Sequence, residues 1–565
     1  MSSTNFDQCL ATIKANPTLW RTGGTDLRGN LVNDVSQVVG MTYSMCATQC
    51  GTAPVAFSFP SFSTQFSSFM LPFLALTAQL PFGAPNHIDN FSTIMLTIGS
   101  PTLAIFSLMI TIFNSRWIRW RFERIAYPNS KQAVVILDNL QESLLRVKQT
   151  SLHGQLSLLA AQIILPQNDQ WWQRGAATLE FTHTWSMANI ASVGWAIIAY
   201  IFTIASMDPS NMNVIGPAVA CAWLWLLPVV VGWLQTSPNC DEMKLRVKLA
   251  ALNETAYICP PGDNPAAPVL AHEITDEYAI EVWPPTPPTH SDSSDESRSP
   301  PFYNYARMFP WARSVEEIAQ AFESASIRAS KRLTVDGTPW KPSDPGATPV
   351  LPCNRIGKAD DVAIYIQPEG QPQPQCKCWA PGVWRRVAYS SFVACAVQWS
   401  CTGSAVMAAW MTPTVGLGCH SASFLLHGSL STISFIMILA GEIITQWPHS
   451  TNSQSYSLSL SSHIRYVNLS ALCRRAGKII AWVNACMFIA LDLLRFANIF
   501  DNCFCGSSVM GRGAQRAFNI VSYDPSMHFE NWWIASVAFA TMAAFSLWIA
   551  VFVLKTHKKS FLATS

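Results

Sequence analysis

Eight long apolar stretches run through this chain, at 66–83, 92–113, 186–206, 214–235, 387–411, 421–445, 479–500 and 532–554, and the Arg and Lys clusters between them fall on alternate sides. A bilayer core holds no water to satisfy backbone polar groups, so such stretches fold as helices. Most reach the roughly 20 residues that a bilayer needs. The first is short, carries Ser67, Ser68, Pro72, Gln79 and Pro81, and reads equally as a span, a re-entrant segment or an interfacial helix. The sequence therefore predicts an all-α polytopic membrane protein. Its bundle has seven or eight transmembrane helices, with amphipathic cytoplasmic helices and a long disordered loop.

Composition agrees. Only 12% of residues are charged and 50% are hydrophobic, whereas soluble domains are about 25% charged. The 22 tryptophans suit interfacial anchoring. A net charge of +2 is too small to point to nucleic acid. Residues 1–30 lack an apolar run behind a basic start, so no cleaved signal peptide is expected.

Orientation follows from the basic residues. Arg116, Arg119, Arg121 and Arg124 follow 92–113, and Lys244, Arg246 and Lys248 follow 214–235. Arg385 and Arg386 precede 387–411, Arg474, Arg475 and Lys478 precede 479–500, and Lys555, Lys558 and Lys559 follow the last span. Loops 207–213 and 412–420 carry none, and 501–531 carries only Arg512 and Arg516. All clusters can face the cytoplasm at once, which places the C-terminus inside. The N-terminus is also inside if 66–83 spans, and outside if seven spans remain. The chain then divides into an N-terminal region 1–65; a first hairpin, or re-entrant segment plus span, 66–113; cytoplasmic amphipathic helices 114–185; a hairpin 186–235; a largely disordered cytoplasmic region 236–386; a hairpin 387–445; a cytoplasmic loop 446–478; a hairpin 479–554 with outer loop 501–531; and a tail 555–565.

The outer loops hold Cys419, Cys503 and Cys505, an odd number. Adding Cys9, Cys46 and Cys50 makes six, which can pair in an oxidising compartment. The plainer alternative is that several are buried small hydrophobes. A glycan on Asn253 or Asn468, both in sequons on the cytoplasmic side, would contradict the orientation.

Outside the spans, 129–150 reads as an amphipathic helix through Ala133, Ile136, Leu140, Leu144 and Val147, continued by Leu152, Leu156, Leu159 and Ile163 up to Pro166. It serves either as a platform on the inner membrane surface or as a connector. In 236–386, Pro260-Pro261, the prolines of 284–288 and the acidic serines of 291–297 predict disorder, especially over 255–310. One ordered island is expected, capped by Ser314-Val-Glu-Glu317, with Ile318, Phe322 and Ala325 on its apolar face. Cys353, Cys376 and Cys378 lack a fourth ligand, so no metal site is assigned.

Ionisable residues inside spans are the best functional pointers. The 479–500 span carries Asn484, Asp492, Arg495 and Asn498, and Asp492 and Arg495 can pair on one face. Residue counting along antiparallel helices puts His427 at about their depth, and Glu442 near the inner end. Asp492, Arg495, His427 and Asn484 are thus candidates to bind a ligand or relay protons. The bland alternative is a structural ion pair, with Glu442 snorkelling to the interface. Pro72, Pro101 and Pro228 are expected to kink their helices. No phosphate loop, H-E-x-x-H or G-x-S-x-G occurs, so no catalytic residue and no cofactor is assigned.

The stretches Val39-Gly-Met-Thr-Tyr-Ser-Met-Cys46, Leu71-Pro-Phe-Leu-Ala-Leu-Thr-Ala-Gln-Leu-Pro-Phe-Gly-Ala84, Gly99-Ser-Pro-Thr-Leu-Ala104, Leu165-Pro-Gln-Asn-Asp-Gln-Trp-Trp172, Thr182-His-Thr-Trp-Ser186 and Trp223-Leu-Trp-Leu-Leu-Pro228 resemble a group of polytopic membrane proteins of filamentous fungi. The resemblance covers mainly residues 35–240. It implies a fungal source and a membrane location, and carries over no site residues. The expected function is a small-solute transporter or channel in the plasma membrane or an endomembrane. The alternative is a sensor or scaffold that recruits a cytoplasmic protein partner through 236–386.

Overall fold

The computed structural model describes residues 4–82, 87–151, 156–180, 185–205, 216–236, 242–260, 267–282, 295, 301–342, 350–368, 379–412, 414–451, 460–522 and 529–563. Among these described residues the chain is mostly helical, and six helices are long and apolar enough to cross a membrane. Before them come α1 (Phe6–Ala15), α2 (Pro17–Gly23), α3 (Tyr43–Met45), α4 (Phe59–Gln65), α5 (Leu71–Thr77), α6 (His87–Gly99) and α7 (Pro101–Phe122). Spanning length is reached by α11 (Met187–Ala205), by α12 (Gly216–Trp223) with α13 (Leu226–Thr236), by α17 (Val383–Trp410), α18 (Cys419–Thr451), α19 (Leu460–Phe496) and α22 (Phe529–Ala563).

The helix expected over 92–113, with a kink at Pro101, is broken there into two. α6 and α7 meet at an angle of 103°, and counting this pair as one span raises the total to seven. The break falls at Ser100, whose non-helical backbone precedes Pro101 in the first turn of α7. Proline lacks the N–H that would continue α6 and its ring disfavours a helical predecessor, so a new helix starts there.

The first apolar segment begins earlier than expected, at Phe59, and its helix ends at Thr77. A widened turn over Phe66–Met70 joins α4 to α5 just ahead of Pro72, a usual way to absorb a missing donor. This segment runs antiparallel to α19. Asn498 donates to the Ala56 carbonyl (3.3 Å), Phe69 stacks on Phe496 (6.1 Å) and Phe73 meets Phe488 edge-on (6.1 Å). Beyond α5, Phe82 contacts Phe302 (6.0 Å), which also contacts Trp233 near the end of α13 (5.9 Å).

α18 and α19 form an antiparallel pair whose register is set by hydrogen bonds. Ser434 donates to the Gly477 carbonyl (2.8 Å), and Ser470 donates to the Gly441 carbonyl (2.8 Å). Close approach depends on glycine at Gly99, where a Cβ would lie 1.8 Å from the Ala481 carbonyl oxygen. Small residues and inter-helix hydrogen bonds are what allow apolar helices to associate.

At one end of the bundle, here the cystine end, three strands form an antiparallel sheet in the order β1 (Gly24–Thr25), β2 (Gly40–Thr42), β7 (Phe518–Ile520), with Gly40 opposite Ile520 and Thr42 opposite Phe518. The short helices α20 (Cys503–Gly506) and α21 (Val509–Arg512) precede β7. Leu10, Ile13, Trp20, Val38 and Met41 bury themselves in a small core here. The N-terminal region and the segment between α19 and α22 are thereby one unit.

The opposite end carries a second hydrophobic core. It is built from α8 (Ser130–Asn139), β3 (Leu145–Val147), α9 (Leu158–Ile164), α10 (Asp169–Leu179), α14 (Glu242–Asn253), β4 (Tyr257–Ile258), β5 (Val269–Leu270), β6 (Ile280–Val282), α15 (Asn304–Ser330) and α16 (Ala359–Tyr365). The expected helix over 129–150 ends at Asn139. Residues 140–143 turn, with Ser143 donating to the Leu140 carbonyl (2.7 Å), and Leu145–Val147 then pairs with Ile280–Val282. Strand pairing and burial override the helical period, and Leu144 and Val147 lie on no helix.

Disorder over 255–310 is likewise corrected in part. β4 pairs with β5, β6 pairs with β3, and Phe302, Tyr303, Tyr305 and Arg307 are fully buried. α15 starts ten residues before the expected cap, and Ser314 instead donates to the Leu145 carbonyl (3.4 Å). The proline run 284–288 and the serines of 291–297 lie outside the described residues. Asp295, within that run, is described and buried, held by Lys478 and by the Tyr305 hydroxyl (2.9 Å).

Several of the basic residues used for orientation gather at this second end. Arg121 grips Glu316 through two 3.0 Å bonds, and Arg474 lies 3.5 Å from Glu442. Arg386 stacks on the Trp117 ring at 3.9 Å.

Candidate functional site

Asp492 and Arg495 stand one turn apart on α19, both buried. Arg495 bonds through each of its three guanidinium nitrogens. Nη1 binds the Asp492 carboxylate, Nη2 donates to Ser423 Oγ (2.7 Å) and Nε donates to His420 Nδ1 (3.1 Å). Its face covers the Phe424 ring at 4.3 Å. A guanidinium can only donate, so His420 Nδ1 is an acceptor and its ring proton sits on Nε2.

His427 is not part of this cluster, contrary to the depth counted from sequence. It lies two helical turns further along α18, hydrogen-bonded through Nδ1 to Asn484 Oδ1 (3.2 Å) and stacked on Phe488 (4.4 Å). Asn484 in turn donates to the carbonyls of Gly99 (2.7 Å) and His427 (3.0 Å). The four sequence candidates thus form two clusters. The helix register set by Ser434 and Gly477 puts Asn484, not Arg495, opposite His427.

His420 falls within the loop expected over 412–420, whereas α18 begins at Cys419. The signal was present: His420, Ser423 and His427 recur at three and four on one helical face.

Further along the same seam lies the break between α6 and α7. Ser100 donates to the Ser431 carbonyl (3.2 Å), the Thr102 N–H to Ser431 Oγ (3.3 Å) and the Thr102 hydroxyl to Gln398 Oε1 (3.0 Å). Towards the second end, Glu442 is fully buried, next to Arg474, and accepts from Gln446 (3.1 Å). The expected snorkelling of Glu442 is therefore replaced by internal pairing. Arg474 lies within reach and removes the need for water.

Beyond His420, at the cystine end, lies a cavity of about 370 Å³. Its walls include His420, Asp501, Asp7, Phe6 and Phe500. Asp501 has no side-chain hydrogen bond among the described residues, and burial pushes its carboxyl up to about 7. The three disulfides Cys9–Cys50, Cys46–Cys503 and Cys419–Cys505 staple this end, pairing all six cysteines singled out in the sequence. Cys505 itself lines the cavity.

Cys353 is described, but Cys376 and Cys378 lie outside the described residues. No group of three or more His, Cys, Asp or Glu side chains is placed to hold a metal among the described residues. No family model, curated protein or solved structure matches the chain.

Proposed function

We propose that the protein is an integral membrane transporter for a small solute, entered through the cavity at the cystine end. The observation that carries this reading is the succession of polar clusters along the α18–α19 pair. It runs from Asp501 and His420 through Arg495 and Asp492, then His427 and Asn484, then Ser431 beside the α6–α7 break, to Glu442 and Arg474. Polar groups inside a bilayer are costly and concentrate where ions or solutes pass. A helix interrupted at mid-bundle is a recurrent feature of transporters.

Covalent parity supports a finer topology. Cys46–Cys503 and the β2–β7 pairing put the N-terminal region on the same side as the segment after α19. α11, the α12–α13 segment, α17, α18 and α19 supply five crossings between them, so an odd number must precede α11. The antiparallel run of α4–α5 along α19 favours that segment as the crossing. α6 and α7 then enter from the second end, reach the level of Ser431 and return. With α22 this makes seven crossings and a C-terminus opposite the cystines. Oxidised cysteines suit an extracytoplasmic or lumenal cystine end, and the basic clusters suit a cytoplasmic second end.

The test is uptake by proteoliposomes from a defined mixture of amino acids, sugars, amines, carboxylates and inorganic ions, with the lumen read by mass spectrometry. Protein-dependent enrichment of at least one component supports transport. No enrichment by correctly folded protein argues against it. A sensor is the second reading, favoured by the second core packed against α7 and by Arg386 on Trp117; solute binding without flux is the outcome that reading requires.

A further inference from the structure

We propose that the cavity at the cystine end binds a small organic ammonium ion, with the Asp501 carboxylate as its counter-charge. This rests on the transport reading for its biological use and names the solute class of that same site. The cavity, about 370 Å³, is within the size range of small-molecule sites. Among the described residues its walls hold two carboxylates, Asp501 and Asp7, and no Lys or Arg. Two guanidiniums lie behind the wall: Arg495 is committed to Asp492, Ser423 and His420, and Arg512, beside Ser508, donates to the Val415 carbonyl (2.8 Å) and covers the Phe518 ring. The bond from Arg495 also fixes His420 as a neutral imidazole, which adds no positive charge to the wall.

The start of α1 offers little to an anion either. Asn5 Oδ1 takes the Gln8 N–H (3.0 Å), and the Thr4 hydroxyl donates to the Ala53 carbonyl (2.8 Å). An anion would therefore meet uncompensated negative charge. A cation meets the opposite: a carboxylate without a side-chain hydrogen bond among the described residues, and the aromatic rings of Phe6 and Phe500 in the same wall. Carboxylate plus aromatic faces is the usual chemistry of ammonium recognition.

The site also sets a proton against the ligand. Burial holds the Asp501 carboxyl near 7, and a bound ammonium favours the ionised form. Binding to the protonated site therefore releases the Asp501 proton to solvent, and one positive charge replaces another. The other titratable groups of the described wall are Asp7 on α1 and His420 on α18, with Arg495 of α19 behind His420 and Arg512 of α21 beside Ser508, both adding positive charge from behind the wall. Asp7 strengthens the preference for a cation, and Arg495 opposes it from behind the imidazole.

The experiment is calorimetric titration of the purified full chain in detergent with choline, ethanolamine and putrescine, using glycerol and acetate as neutral and anionic controls. At least one ammonium compound should bind at pH 8, and bind about tenfold more weakly at pH 6. Asp501→Asn, nearly isosteric, should weaken binding at least about tenfold. The pH comparison on the unmodified chain stands even if that variant folds poorly. Absence of binding by all three amines, binding unchanged in Asp501→Asn, or preferential binding of acetate would overturn the proposal. Amine binding with no uptake of any solute would leave this proposal standing and remove the transport reading. Uptake of a neutral or anionic solute without amine binding would do the reverse.

Discussion

Arg495 donates its Nε–H to Nδ1 of His420, 3.1 Å away, and so ties the buried ion pair of α19 to the wall of the cavity. An unpaired charge at this depth is costly, whereas a pair replaced by apolar groups of similar volume often is not. Asp492→Leu alone should destabilise the protein by about 3–5 kcal/mol, because Arg495 keeps its charge and loses its carboxylate. The double variant Asp492→Leu with Arg495→Met should recover most of that loss. Thermal unfolding in detergent compares them; a double variant as unstable as the single one would contradict the pairing argument.

Gly99 faces the Ala481 carbonyl oxygen so closely that a Cβ has no room. Gly99→Ala should therefore cost at least about 1–3 kcal/mol, the usual range for overpacking. The neighbouring bond from Asn484 to the Gly99 carbonyl should be lost with it. Gly194, whose Cβ would meet nothing within 4 Å, is the control. Equal melting temperatures for the two alanine variants would show that α6 and α19 are not held this tightly.

Glu142 gives the second core a pH dependence. It lies outside the spans, accepts from Thr111 (2.9 Å), and burial raises its carboxyl from 4.5 to about 7. A carboxyl raised on folding means that the folded state binds more protons than the unfolded one. Its contribution is therefore fully present below 4.5 and is lost as pH rises towards 7, by up to about 3 kcal/mol. Stability measured from pH 4.5 to 8 should fall across that window, and Glu142→Gln should flatten the profile. A rise in stability over the same interval attributable to Glu142 would reverse the assignment.

The disulfides make the orientation testable. On intact cells, a membrane-impermeant maleimide should label the partly exposed Cys9 and Cys50 only after mild reduction, and should not reach Cys353 at the second end. Labelling of Cys353 without permeabilisation would invert the topology. Removing Cys46–Cys503 should cost on the order of 2–5 kcal/mol, as for other structural disulfides.

Much of this architecture was legible in the residues. The apolar runs located α11, α17, α18, α19 and α22, since a bilayer leaves no alternative to a helix. Asp492 and Arg495 were recognisable because spacing three on a helix is a contact. Cysteine parity singled out the six that pair, though not their connectivity. What stayed hidden depends on tertiary context. His420 needed the start of α18, the α6–α7 angle needed the Gly99–Ala481 approach, and the second core needed pairing of β3 with β6 across more than a hundred residues. Proline-rich composition concealed that pairing, because the strands and α15 lie between the prolines.

The most direct measurement is solute flux through the α18–α19 seam. Proteoliposomes containing the unmodified chain should accumulate the component identified from the defined mixture. Those containing Asp492→Leu with Arg495→Met, folded and equally incorporated, should lose most of that uptake. Equal uptake by the two would contradict transport along this seam and leave the ion pair a purely structural lock.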